Sequence, residues 1–169
     1  MSGVFASFLD ELQARTAIED CLKRFARAVD RQDWKAAREA YHEGAFDDHG
    51  FFKGAPDAFL AHIEQLHAQQ DHSMHFNTNV LIEFKSKERA FVETYVLVLQ
   101  RFRDRRVTAS ARYLDRFEKR NGEWRVVHRT LVFGDMVPEP MAEPPQFPPE
   151  FTVQKHDTTD VLYSLKKQA

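Results

Sequence analysis

The sequence predicts an α+β fold in which a curved antiparallel or mixed sheet wraps about three N-terminal helices. Three observations carry this. Apolar residues recur at helical spacing as far as Gln69, the period changes to that of strands after Asp71, and the strand-like segments are long with tight turns between them.

The elements follow in chain order. Between Phe8 and Val29 a single apolar stripe runs through Leu9, Leu12, Ile18, Cys21, Leu22, Phe25 and Val29, with charged residues around it. Asp33 is a good N-cap for a second helix over Trp34 to His42, which Gly44 ends. A short extended stretch, Ala45 to His49, leads to a turn at Lys53 and Gly54. Pro56 suits the first turn of a third helix reaching Gln69, with Phe59, Ile63 and Leu66 on one side. Strands are expected over Met74–Lys85, Ala90–Arg103, Val107–Lys119 and Trp124–Met136. Asn121-Gly122 is a strong hairpin signal, because both residues tolerate positive φ. Strands of this length must twist and curl. Helices laid on one face then leave a cone with a closed end and an open mouth. Residues 1–136 form this domain. Beyond it, "VPEPMAEPPQFPPEF" holds six of the seven prolines and reads as a semi-rigid arm, so residues 137–169 are expected to pack on the domain or on a neighbouring subunit.

Composition narrows the functions. A formal charge of −2 over 169 residues gives no electrostatic reason to expect nucleic acid or an anionic membrane as partner. The basic run Arg101–Arg106 is interrupted by Asp104 and reads as a turn. One cysteine, Cys21, excludes an internal disulfide and reads as a buried inert thiol. The N-terminus lacks a basic leader and reaches Asp10 and Glu11 early, and no apolar run approaches membrane-spanning length, so a cytoplasmic protein is expected. No metal is expected: His72 and His75, three apart on a strand, point to opposite faces, and the eight histidines are dispersed.

Scattered ionisable residues remain as candidates. Asp30 follows Val29 on the buried stripe; either it is paired inside or it opens a solvated turn. By strict alternation His75 shares a face with Asn77 and Asn79, whereas Phe76, Thr78, Val80, Ile82 and Phe84 share the other; the polar row faces a cavity or faces solvent. Arg129 alternates with Arg125, Val127 and Leu131, and is either an inward charge or a surface ion pair. Arg112 and Tyr113 on the preceding strand are further candidates of opposite facing.

Asp30 after "LKRFARAV", the strand "HFNTN" and the hairpin "RYLDRFEKRNGEWRVVHRT" together resemble the SnoaL-like branch of the nuclear transport factor 2-like superfamily, which is related to scytalone dehydratase, lindane dehydrochlorinase and bile-acid 7α-dehydratase. The resemblance runs from about Arg15 to Met136 and implies a cone without cofactor, assembled as a homotrimer or homodimer. It implies that His75 is a general base, that Asp30 orients and charges it, and that Arg129 stabilises departing charge. Phe25 stands where the dehydratase relatives carry a Tyr, and His49 where they carry a second one. The resemblance therefore makes His49 the candidate acid, with Tyr41, Tyr95 and Tyr113 as substitutes. Phe25, Tyr41, Asn77, Tyr95, Arg112 and Tyr113 are the candidate substrate-binding residues.

What this implies is a lyase acting on a small apolar, ring-containing molecule with loss of water, halide or a fragment such as formaldehyde. The alternatives are an isomerase of the ketosteroid type, a polyketide cyclase, or a non-catalytic small-molecule-binding module, since fold alone does not imply chemistry.

Overall fold

The computed structural model describes residues 3–141, 143 and 146–168. Helix α1 (Phe8–Asp30) starts where the Ser7 hydroxyl accepts from the Asp10 amide at 3.1 Å, with Asp10 and Glu11 placed favourably in its first turn. It ends in a Schellman motif. Gln32 takes positive φ (48°), its N–H reaches the Val29 carbonyl, and the Asp33 N–H reaches that of Ala28. Helix α2 (Trp34–Arg38) is capped by Asp33 and is shorter than expected. Tyr41 and His42 belong instead to strand β1 (Tyr41–Asp48), which a two-residue strand β2 (Lys53–Gly54) pairs antiparallel. Helix α3 (Pro56–His67) has Pro in its first turn.

Strands β3 (His72–Ser86), β4 (Arg89–Arg101), β5 (Arg105–Arg120) and β6 (Glu123–Pro140) form an antiparallel meander. Strand β1 joins it in parallel beside β6, giving one six-stranded mixed sheet of order β2-β1-β6-β5-β4-β3. The sixth strand continues past Met136 through Pro138 to Pro140. Those prolines are tolerated because β1 pairing stops at Thr130, so this stretch of β6 has one free edge.

Three of the five register shifts among the described residues decide which side chains face inward around the hollow end. Strict alternation fails at each. The register shifts between Asn77 and Val80. Ser73, His75 and Asn77 therefore share the inner face with Val80, Ile82 and Phe84, and Asn79 is exposed. On β6 a shift beside Arg116/Phe117 puts Trp124, Val126, Arg129 and Leu131 on one side, against the expected grouping of Arg129 with Arg125 and Val127. A third shift lies at Gly134, where a Cβ would come within 2.9 Å of Ser110 Oγ.

The closed end of the cone is packed solid. Ile18, Leu22, Val92, Phe117 and Val126 are almost completely buried there, with Phe84 and Trp124 edge to face. Cys21 lies in this core, where burial pushes its thiol up to about 11. The wide end is hollow. After the proline-rich stretch the chain returns to the end of α1. Arg31 pairs with Asp160 at 3.5 Å, the Gln32 amide donates to the His156 carbonyl at 2.8 Å, and Tyr163 donates to Asp33 from the short helix α4 (Val161–Lys166). Among the described residues, no helix is long and apolar enough to cross a membrane.

Candidate active site

The hollow end is a cavity of about 350 Å³, a size suited to one small ring-containing molecule. Its walls are mainly apolar, from Phe25 and Val29 of α1, Phe59 and Ile63 of α3, and Val96, Ala111, Tyr113 and Leu131 of the sheet. Three imidazoles interrupt that surface: His49, His67 and His75.

His75 is held from behind. Asp30, 7% exposed, is the last residue of α1, and β3 is the edge strand running past it. The unpaired edge of β3 supplies the donors that make a buried carboxylate tolerable. Ser73 Oγ donates to Asp30 Oδ1 at 3.0 Å, the His75 amide to Oδ2 at 2.9 Å, and His75 Nδ1 to Oδ1 at 2.6 Å. The protonated Nδ1 leaves the lone pair on Nε2, the nitrogen free to act on a molecule in the cavity. The Asp30 carbonyl, an orphan acceptor at the helix end, accepts from His156 Nδ1 at 2.8 Å.

His49 is held in the same manner by a different construction. It follows β1 by one residue, and Asp47 two residues earlier shares its side. Asp47 is fully buried and binds His49 Nδ1 through Oδ1, while Tyr41 donates to its Oδ2 at 2.6 Å. The His49 ring stacks on Phe59 with centroids 4.1 Å apart.

Arg129 does not reach the cavity. Its guanidinium is fully buried and bidentate to Asp115, at 2.9 and 2.7 Å, directly across from it on β5. The group lies 4.7 Å from the Phe25 ring centroid and 4.0 Å from that of Tyr113, the two rings that form the cavity wall in front of it. Burial is the largest influence and opposes its charge, but Asp115, Tyr41 and Tyr113 together outweigh it and keep Arg129 ionised. Its remaining nitrogen meets Tyr41 Oη at 3.5 Å, so a hydrogen-bond chain through Tyr41 and Asp47 links Arg129 to His49 at the cavity.

The other expected residues divide. Phe25 and Tyr113 line the cavity; burial pushes the Tyr113 hydroxyl up to about 12, so it stays protonated. Tyr41 lies behind the wall. Asn77 points inward but binds the Leu22 carbonyl at 3.1 Å and ties α1 to β3. Tyr95 and Arg112 do not belong to the site: they pair across β4 and β5 on the outer face, Tyr95 exposed and Arg112 bonded to Glu93. Their neighbours Val96 and Tyr113 face in because alternation is unbroken there.

Sequence reasoning missed Asp47, Asp115, His67 and His156. Asp47-x-His49 was a usable signal, because residues two apart on a strand share a face. His67 also had one, standing eight residues after Phe59 and four after Ile63 on the apolar side of α3. Asp115 had one as well, since it alternates with Ala111, Tyr113 and Phe117 on one face of β5; for His156 no local pattern existed.

Comparison with known proteins agrees with this architecture. No curated protein matches the chain by sequence. Solved structures of the same fold include a scytalone dehydratase-like protein from Novosphingobium aromaticivorans DSM 12444, with TM-score 0.72 and 21% identity over 78% of this chain and 91% of that one. Hexachlorocyclohexane dehydrochlorinase type 3 from Novosphingobium barchaimii LL02 gives TM-score 0.72 and 21% identity over 85% and 100%. An aromatic ring hydroxylase-like protein from N. aromaticivorans gives 0.69 and 24% over 76% and 94%. The fold is thus the cone of the nuclear transport factor 2-like superfamily. The SnoaL-like domain pattern matches residues 10–130, and with that match over most of its length the chain belongs to the SnoaL-like domain family.

Proposed function

We propose that the protein is a cofactor-independent lyase that removes a proton from a small, mostly apolar, ring-containing substrate with His75 as general base. The observation that carries this reading is the pair of carboxylate-held imidazoles, His75–Asp30 and His49–Asp47, opening onto one apolar cavity. Asp30 fixes the tautomer of His75 and stabilises the imidazolium that forms when Nε2 takes a proton. His49, held by Asp47 through Nδ1, acts in its imidazolium form and gives the Nε2 proton to the departing oxygen. The C–H and C–O bonds break, a C=C bond forms, and water leaves. A halide needs no such proton and departs as the anion. If His75 takes a hydroxyl proton instead, a C–C bond breaks, an aldehyde such as formaldehyde leaves, and the carbon that keeps the electron pair takes a proton from His49. General base catalysis supplies about a hundred- to ten-thousand-fold, so positioning in the dry cavity supplies the rest.

The position of Arg129 behind Phe25 and Tyr113 supports an indirect role for it. It reinforces the Tyr41–Asp47–His49 chain rather than touching the leaving group. An isomerase with a carboxylate base finds less support, because each carboxylate is bonded to a histidine that stands between it and the cavity. The test is turnover of hydroxylated and halogenated ring compounds, followed by mass spectrometry, for wild type, His75→Ala and Asp30→Asn. Loss of mass in the product and loss of turnover in both folded variants are expected. Full turnover by either folded variant rejects the mechanism, and a product of unchanged mass points to the isomerase.

A further inference from the structure

His67 is the third imidazole in the cavity wall, and the mechanism above does not use it. It closes α3 and is 6% exposed, yet its Nδ1 has no hydrogen-bond partner among the described residues. Its ring is nearly parallel to that of His75, with 6.5 Å between centroids, and it stacks at 5.5 Å on His156. Three residues later Gln70 also lines the cavity, and its Oε1 is likewise buried without a partner. Native proteins rarely leave such atoms unpaired, because each loses its water without replacement. Two of them lie in the cavity wall beside the proposed base, and a small rotation of either side chain toward a substrate hydroxyl would give it the missing partner.

We infer that His67 and Gln70 form a polar subsite that holds a ring hydroxyl of the substrate next to His75. This rests on reading the cavity as a substrate site. A hydroxyl matches the pair because it accepts from an imidazole N–H and donates to an amide oxygen. Neither an unsubstituted nor a halogenated hydrocarbon can do both. Burial first, then His75 and His156, holds the His67 imidazole at about 3, so the ring is neutral and carries one donor and one acceptor. It cannot serve as the proton donor of the reaction. Its contribution is to select a hydroxylated ring over a bare or chlorinated one and to fix which bond faces His75.

Calorimetric titration of the whole protein with phenol, toluene and chlorobenzene tests this without any turnover. Phenol should bind wild type about tenfold more tightly than toluene, the effect of one hydrogen bond to an otherwise unpaired buried group. In His67→Phe that preference should shrink to within about twofold while toluene still binds, and His67→Gln, which keeps a hydrogen-bonding group, should retain most of it. Gln70→Leu, at the half-buried lip, should lower the preference by a few-fold and serves if His67→Phe does not fold. The inference falls if wild type binds phenol no better than toluene, or if a folded His67→Phe discriminates as wild type does. A protein that selects phenol through His67 but converts no substrate upholds the subsite and sinks the lyase reading. One that loses turnover in His75→Ala while His67→Phe still discriminates does the reverse.

Discussion

The two histidine–carboxylate pairs look alike at the cavity surface and are built differently behind it. Asp30 and His75 come from the end of α1 and the edge of β3, 45 positions apart, and their carboxylate accepts only from β3. Asp47 and His49 are two residues apart, and their carboxylate is tied through Tyr41 to the buried Arg129–Asp115 pair. Among the described residues the carboxylate of the first pair has no cation bonded to it, and Arg31 bonds to the Asp30 main-chain carbonyl instead. The second has a guanidinium two hydrogen bonds away from Asp47 and three from His49. That difference supports the proposal that His75 removes the proton and His49 delivers one, although the local geometry of each imidazole is similar.

The sharpest way to break the comparison is to remove each imidazole separately. His75→Ala should lower turnover by about ten-thousand-fold on any substrate, the upper end for a general base, as read from single-turnover rates. Comparable losses in His75→Ala and His49→Ala on a halogenated substrate would remove the distinction between base and acid. The structural backing of the second pair comes next. Arg129→Met leaves Asp115 as an unpaired buried charge and should destabilise the fold by about 3–5 kcal/mol in urea denaturation. A loss under about 1 kcal/mol would show the pair to be solvated. His49→Gln sharpens the assignment further: elimination of hydroxide should slow by about a hundredfold and elimination of chloride by only a few-fold, since chloride leaves without a proton. Equal slowing of both would exclude His49 as the acid.

The smallest effect concerns the third imidazole. The folded pKa of His67 is near 3 against an ordinary 6.5, so between these values the unfolded chain binds the extra proton. Its contribution to stability is therefore complete above about 6.5 and is lost as the pH falls toward 3; burial shifts His156 and His72 in the same direction. Denaturation midpoints should drop across that window, and His67→Phe should flatten part of the drop. An identical pH dependence in the variant would show that His67 is not buried as a neutral ring.

Much of the architecture was readable because it depends on short-range patterns. The stripe of α1, the Asp33 cap, Pro56 and Asn121-Gly122 each act within a few residues, and each marks an element that the fold contains. Where the reading failed, long-range pairing had intervened. The helix expected to reach His42 stops at Arg38, because Tyr41 pairs with Val126 across the sheet. Asn79 and Arg129 were assigned the wrong neighbours because a bulge adds one residue on one strand only, and nothing local announces it. Tyr95 was expected at the site and lies outside for a simpler reason: on a regular strand its neighbour Val96 already faces in.

By itself the sequence determined that the chain is a helix-backed curved sheet, and it left Asp30 either paired inside or solvated in a turn. Hydrophobic period and turn chemistry suffice for that, being properties of neighbouring residues. Only the tertiary structure decided which imidazoles share a cavity, that Arg129 stands behind its wall, and that His156 returns to cap Asp30. Those outcomes depend on the placement of bulges and on contacts between residues as far apart as 30 and 156. Such contacts form because the whole sheet curls around the helices, and no local stretch of chain encodes them.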